Sequence, residues 1–75
     1  MLKEWMIAFN EAKTMEANGE EGMALIKEYE RVLSEMGNGP YTEAEQHVRE
    51  EVFRNLKELY LMNGDEAKAA TVSAY

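Results

Sequence analysis

The sequence predicts an all-α fold: a small antiparallel helical bundle of three main helices plus a short C-terminal helix. Two observations predict it. Three Asn-Gly pairs (Asn18-Gly19, Asn38-Gly39 and Asn63-Gly64) divide the chain, and Asn and Gly tolerate the left-handed backbone that closes a helix. Every long piece between them carries one apolar stripe at helical spacing, and none alternates as a strand does. A chain of 75 residues is expected to fold as a single helical-bundle domain, residues 1–75, with a stability of a few kcal/mol from one compact core.

The first helix is expected over residues 2–17. At about 100° per residue, Leu2, Trp5, Met6, Phe9 and Ala12 share a face, flanked by Ala8 and Met15. The second is expected over residues 20–36, with Leu25, Ile26, Tyr29, Val32, Leu33 and Met36 as its stripe. Glu20-Glu21 at its start would complement the positive end of the helix dipole. Gly37-Asn38-Gly39-Pro40 then stops it, since proline cannot continue a helix.

The third helix has the clearest start. Thr42 followed by Glu45 fits a capping box, in which hydroxyl and carboxylate each satisfy an orphan backbone N–H. It is expected to run about 20 residues, to Met62 or Asn63, with Ala44, Val48, Val52, Leu56 and Leu59 inward. Phe53 and Tyr60 widen this arc, which suits a helix touching two neighbours. Glu50 and Arg54 stand in the favourable i, i+4 order for an ion pair of about 0.3 kcal/mol. The short fourth helix begins after Asp65, an N-cap residue, and continues through Ala67, Ala69, Ala70 and Ala74. It is too short to hold alone and must dock. The short loops imply antiparallel neighbours.

Composition narrows the function. There is no cysteine, hence no disulfide framework, thiolate nucleophile or thiolate metal site. No apolar run approaches the ~20 residues of a membrane span or the ~7–15 of a signal-peptide core, so the chain reads as soluble, and as cytoplasmic in type if natural. The net charge of −7 is spread evenly: residues 1–36 hold eight acids and four bases, residues 37–75 seven and four. Direct nucleic-acid binding needs a basic stripe and is not expected. Mimicry of DNA needs carboxylates without interleaved bases, whereas Lys and Arg punctuate every helix.

No catalytic, cofactor or metal site is expected. His47 is the only imidazole. The spacing Glu43-x3-His47-x3-Glu51 would put three ligands on one helical face, and a carboxylate–imidazole pair can do acid–base work. Yet no second His and no apolar shelter accompanies them, so the face reads as a solvated one. The glycine stretches follow helices rather than strands and match no phosphate-binding loop, and the acidic loops lack the alternating oxygens of a calcium loop.

The segment Phe53-x2-Leu56-x3-Tyr60-x3-Gly64-x4-Ala69 resembles one tetratricopeptide repeat, a helical hairpin with large and small residues at those spacings. It departs from that pattern where Lys57 stands in place of a glycine at the helix crossing and Ser73 in place of an aromatic. The resemblance covers 17 of 75 residues and implies a helical hairpin and a protein-binding role. Its signature residues are packing residues, so no ligand position carries over.

The remaining signal is apolar side chains off the stripes. Ile7 projects roughly opposite the first helix's stripe and Leu61 opposite the third's, while Phe53 and Tyr60 form a flank with Leu56 and the stem of Arg49. Local violations in an otherwise consistent pattern are where function is expected, so Ile7, Phe53, Tyr60 and Leu61 are the candidate protein-binding residues. The competing reading puts the fourth helix on the Phe53/Tyr60 flank, and isolated exposed Ile or Leu residues are common. The expected partner is a protein with a basic surface, with self-association as the alternative. The placement of caps and turns also resembles a de novo designed helical miniprotein; a natural small acidic inhibitor or adaptor, or a purely structural designed bundle, are the alternatives.

Overall fold

The computed structural model describes residues 2–72 and is all-helical, with α1 at Glu4–Ala17, α2 at Met23–Met36, α3 at Glu43–Met62 and α4 at Glu66–Val72. No strand occurs among the described residues. The chain forms two compact units, Met1–Gly37 and Asn38–Tyr75; α1 packs on α2 in the first and α3 on α4 in the second.

Helix ends follow from backbone hydrogen bonds. Past the end of α1, Gly19 takes φ +87°, its N–H donates to Glu16 O at 3.0 Å, and the Glu20 N–H reaches back to Met15 O at 3.1 Å. Past α3, Gly64 takes φ +78°, its N–H donates to Leu61 O at 3.1 Å, and the Asp65 N–H to Tyr60 O at 2.8 Å. Both are the paired closure that a left-handed glycine permits. Asp65 then turns outward to the next helix: its carboxylate accepts from Lys68 N at 3.0 Å and its carbonyl from Ala69 N at 3.1 Å. One residue closes α3 and opens α4.

The same closure corrects the expected start of the second helix. Glu20 is committed to the end of α1, so α2 begins at Met23 with Gly22 as its N-cap and no side-chain cap bond. Glu20-Glu21 lie outside the helix and do not face its dipole. α1 likewise begins later than expected, at Glu4, leaving Leu2 outside it and exposed. The capping box forms as read: Glu45 N donates to Thr42 Oγ1 at 3.1 Å and Thr42 N to Glu45 Oε1 at 2.8 Å. The continuation of the fourth helix to Ala74 lies outside the described residues.

In the first unit, Ala8 and Ala12 are fully buried with Trp5, while α2 buries Leu25, Ile26, Tyr29 and Val32. Small side chains on α1 leave room for large ones on α2, which suits close helix packing. Ala8 is thus central to the stripe, where the sequence places it on the flank, and Met6 and Phe9 are half-buried. Trp5 is 8% exposed; its buried indole N–H finds no acceptor, so apolar burial alone holds it. In the second unit Val52, Leu56, Leu59 and Tyr60 of α3 and Ala69 of α4 are buried. Ala44, expected inward, is exposed, because it lies in the first turn of α3.

Two substitutions test this framework. Leu56, with no exposed surface, is expected to lose about 2–5 kcal/mol of stability on replacement by Ala, read from denaturant midpoints; an unchanged midpoint would place the core elsewhere. Gly64→Ala forces an L-residue into the left-handed region and is expected to cost about 1–2 kcal/mol, although nothing crowds a Cβ there.

Candidate functional site

Two surface features of different chemistry stand out, one on each unit. The first is on α1. Ile7, Asn10, Glu11 and Thr14 recur at helical spacing, away from the face carrying Trp5, Ala8 and Ala12, and with Leu2 and Met15 they line an open hollow of about 480 Å³. Ile7 is half-buried in it, and Leu2 is 59% exposed. The hollow is open and largely apolar, and Thr14, Asn10 and Glu11 add a hydroxyl, an amide and a carboxylate to its lining.

One edge of this hollow is acidic. Glu11 belongs both to its lining and to a cluster that joins α1 to α2. Arg31 of α2 bonds Glu28 at 3.1 Å, Glu11 at 3.3 Å and Glu4 at 3.4 Å. Three carboxylates thus share one guanidinium. Glu28 is the least exposed of them, and burial, followed by the adjoining Glu11 carboxylate, raises its pKa above the ordinary 4.5 despite Arg31. Burial opposes the charge on Arg31, but Glu28, Glu11 and Glu4 prevail and hold its pKa above the ordinary value. Exposed pairs of this kind contribute about 0–1 kcal/mol, so the cluster shapes potential more than stability.

The second feature is at the start of α3. Tyr41 precedes the capping box, and its ring lies so close to Gly39 that a Cβ there would meet it at 3.1 Å. Arg49 places its guanidinium 4.1 Å from the centre of the Tyr41 ring and 5.2 Å from that of Phe53. Each such contact is worth about 0.5–1 kcal/mol at an exposed site. Gln46, Arg49 and Glu50 join the two rings around a hollow of about 200 Å³. The sequence gives the Arg49–Phe53 spacing along one helix, but Tyr41 enters only through the fold of the preceding loop.

The four sequence-chosen residues divide between the two units, Ile7 on α1 and Phe53, Tyr60 and Leu61 on α3. Ile7 lines the α1 hollow; Phe53 is half-buried beneath Arg49. Tyr60 is only 6% exposed, with Lys68 Nζ of α4 at 5.8 Å from its ring centre. Leu61 is 50% exposed beside Met62 at the end of α3. Leu2 and Met15 extend the Ile7 surface; the sequence counts Leu2 in the inner stripe and Met15 on its flank, and the late start of α1 leaves Leu2 outside the helix.

His47 sits on solvent, with Nδ1 4.0 Å from Glu50 Oε1, and a shallow hollow runs past Glu43, Gln46, His47 and Glu50. Among the described residues no three His, Cys, Asp or Glu side chains gather at metal-binding distances. Glu50 faces His47 rather than the expected Arg54, since an exposed pair gains too little to fix two long side chains. No helix among the described residues is long and apolar enough to cross a membrane.

The acidic cluster gives a pH prediction. Glu28 titrates higher folded than unfolded, so its stabilising contribution is complete below about pH 4.5 and lost as pH rises through the raised folded-state value. As pH rises from about 4.5, the thermal midpoint of the parent chain is expected to decline, and Glu28→Gln is expected to flatten that decline. Parallel curves for the two proteins would show that Glu28 carries none of the dependence. No family model, curated protein or solved structure matches this chain, and its function is argued from its own residues.

Proposed function

We propose that the chain is a non-catalytic protein-recognition module, an antiparallel bundle of three main helices with a short fourth, that binds a protein target through the outward apolar face of α1 around Ile7. The observation that carries this reading is the hollow lined by Leu2, Ile7, Asn10, Glu11, Thr14 and Met15. Apolar side chains displayed off the folding stripe leave in water an area worth about 25 cal/mol per Å² on burial. The acidic margin at Glu11 and the net charge of −7 favour a target with a basic surface and a salt-sensitive association rate. Leu61 is exposed at the end of α3, and Tyr60 contributes to packing.

A designed helical miniprotein is the reading of origin best supported by the caps: the Thr42/Glu45 box, the Asp65 junction and the glycine closures at Gly19 and Gly64 agree with the rules for helix ends. A natural small acidic inhibitor or adaptor is the second reading, favoured by α1 and α2 starting on Lys3 and Gly22 without a side-chain cap bond. The inward residues Leu56, Tyr60 and Ala69 fit the packing of a tetratricopeptide-like helix pair and supply no ligand position. Both origins lead to binding rather than turnover.

The test compares Ile7→Glu with Leu61→Glu. Burial of one Ile contributes about 1.5–3 kcal/mol, so Ile7→Glu is expected to weaken target binding by about tenfold or more. Its thermal midpoint should stay near that of the parent, and Leu61→Glu should bind as the parent does. The reading fails if Ile7→Glu unfolds the chain like a core variant, or if it leaves every association, including self-association by mass measurement, unchanged.

A further inference from the structure

Arg31 and Arg49 differ in a way that the chain's composition does not explain. With 15 acidic residues to eight basic ones, an arginine is expected to be surrounded by carboxylates, as Arg31 is by Glu4, Glu11 and Glu28. Arg49 instead lies against the rings of Tyr41 and Phe53, and among the described residues its guanidinium takes no carboxylate. Glu50, in the same hollow, approaches His47.

A guanidinium carries five N–H donors in one plane and no acceptor. Ring contacts engage its faces and leave the donors along its edge to solvent or a ligand. They also restrict its motion, so less side-chain freedom is lost when those donors are used. The Gln46 amide stands at the same hollow as a further donor. Arg and aromatic residues are the types over-represented where binding energy concentrates.

We infer that Arg49, set against Tyr41 and Phe53, is a receptor for one carboxylate, the side chain of an Asp or Glu on a partner protein. The planar carboxylate matches the edge of the guanidinium and can accept two parallel N–H bonds from it. The hollow of about 200 Å³ has room for a single side chain. One cation beside the Glu50 carboxylate suits a monoanion better than a phosphate dianion, which Glu50 would repel about twice as strongly. The net charge of −7 repels a broadly acidic surface, so the carboxylate is an isolated one on a neutral or basic face. This site rests on residues of α3 and the loop before it alone, and the failure of either reading does not decide the other.

The experiment titrates the full chain with sodium propionate, a carboxylate on a short apolar stem, at ionic strength held constant with sodium chloride. The Arg49 Nε–H and Gln46 amide resonances are followed by NMR. Both are expected to move saturably with propionate, and less with inorganic phosphate at the same ionic strength. Arg49→Lys keeps the charge but loses the fork, and is expected to weaken propionate binding about tenfold. Glu50→Gln removes the repelling neighbour and is expected to tighten it about two- to fivefold. The last variant leaves the ring contacts in place, so it decides the matter even if changes at Arg49 unfold the chain. Linear shifts that sodium chloride reproduces, phosphate binding tighter than propionate, or no tightening in Glu50→Gln would each overturn the assignment.

Discussion

Two backbone hydrogen bonds, from the N–H of Glu20 to Met15 O and from the N–H of Asp65 to Tyr60 O, set where the helices of both units can lie. Each closes a helix that would otherwise end in unpaired carbonyls, and each requires the intervening glycine to be left-handed. The downstream consequences differ because the next residues differ. Asp65 is an N-cap residue and starts α4 at once, so a seven-residue helix that would not persist alone is fixed in direction from its first turn. Glu20 is not, and the chain runs on to Gly22 before α2 begins. The stretch between α1 and α2 is therefore longer than that between α3 and α4, although both follow an Asn-Gly pair.

Within the first unit, packing and electrostatics act in opposite senses. Ala8 and Ala12 admit the large side chains of α2 and bring the two helices close. That closeness gathers Glu4 and Glu11 of α1 with Glu28 of α2, and Arg31 is the cation they share. The raised pKa of Glu28 records the residual strain: burial and a second carboxylate outweigh the guanidinium. A small core can bear such a cluster because it sits at the rim, where water screens most of the interaction.

What the sequence made legible was local. The capping box needs only Thr42 and Glu45, three residues apart in one turn, and it forms as read. Of the stripe Leu25, Ile26, Tyr29, Val32, Leu33 and Met36, read from period alone, the first four are buried and Leu33 and Met36 are half-buried. Period does not say what covers a face. Phe53 and Tyr60 lie on one arc of α3, yet Tyr60 is buried with Lys68 of α4 over its ring, and Phe53 is half-buried beneath Arg49. Ile7 could be recognised as misplaced, but not its neighbours: Leu2 joins it only because α1 starts at Glu4. The contact of Tyr41 with Arg49 crosses from a loop to a helix, and no helical spacing encodes it.

In the proposed role, folding and recognition share α1 because the helix divides its circumference. Trp5, Ala8 and Ala12 point one way and Ile7, Asn10 and Thr14 another, as steps of about 100° per residue require. A substitution on the second set changes what the helix displays without opening a cavity in the first. The α3 feature is coupled differently: Phe53 follows the buried Val52 and lies three residues before the buried Leu56, and Arg49 rests on Phe53. There the displayed charge is positioned by the same helix turn that fills the core. Its geometry is correspondingly fixed, whereas the surface around Ile7 includes the unbranched, adaptable side chain of Met15.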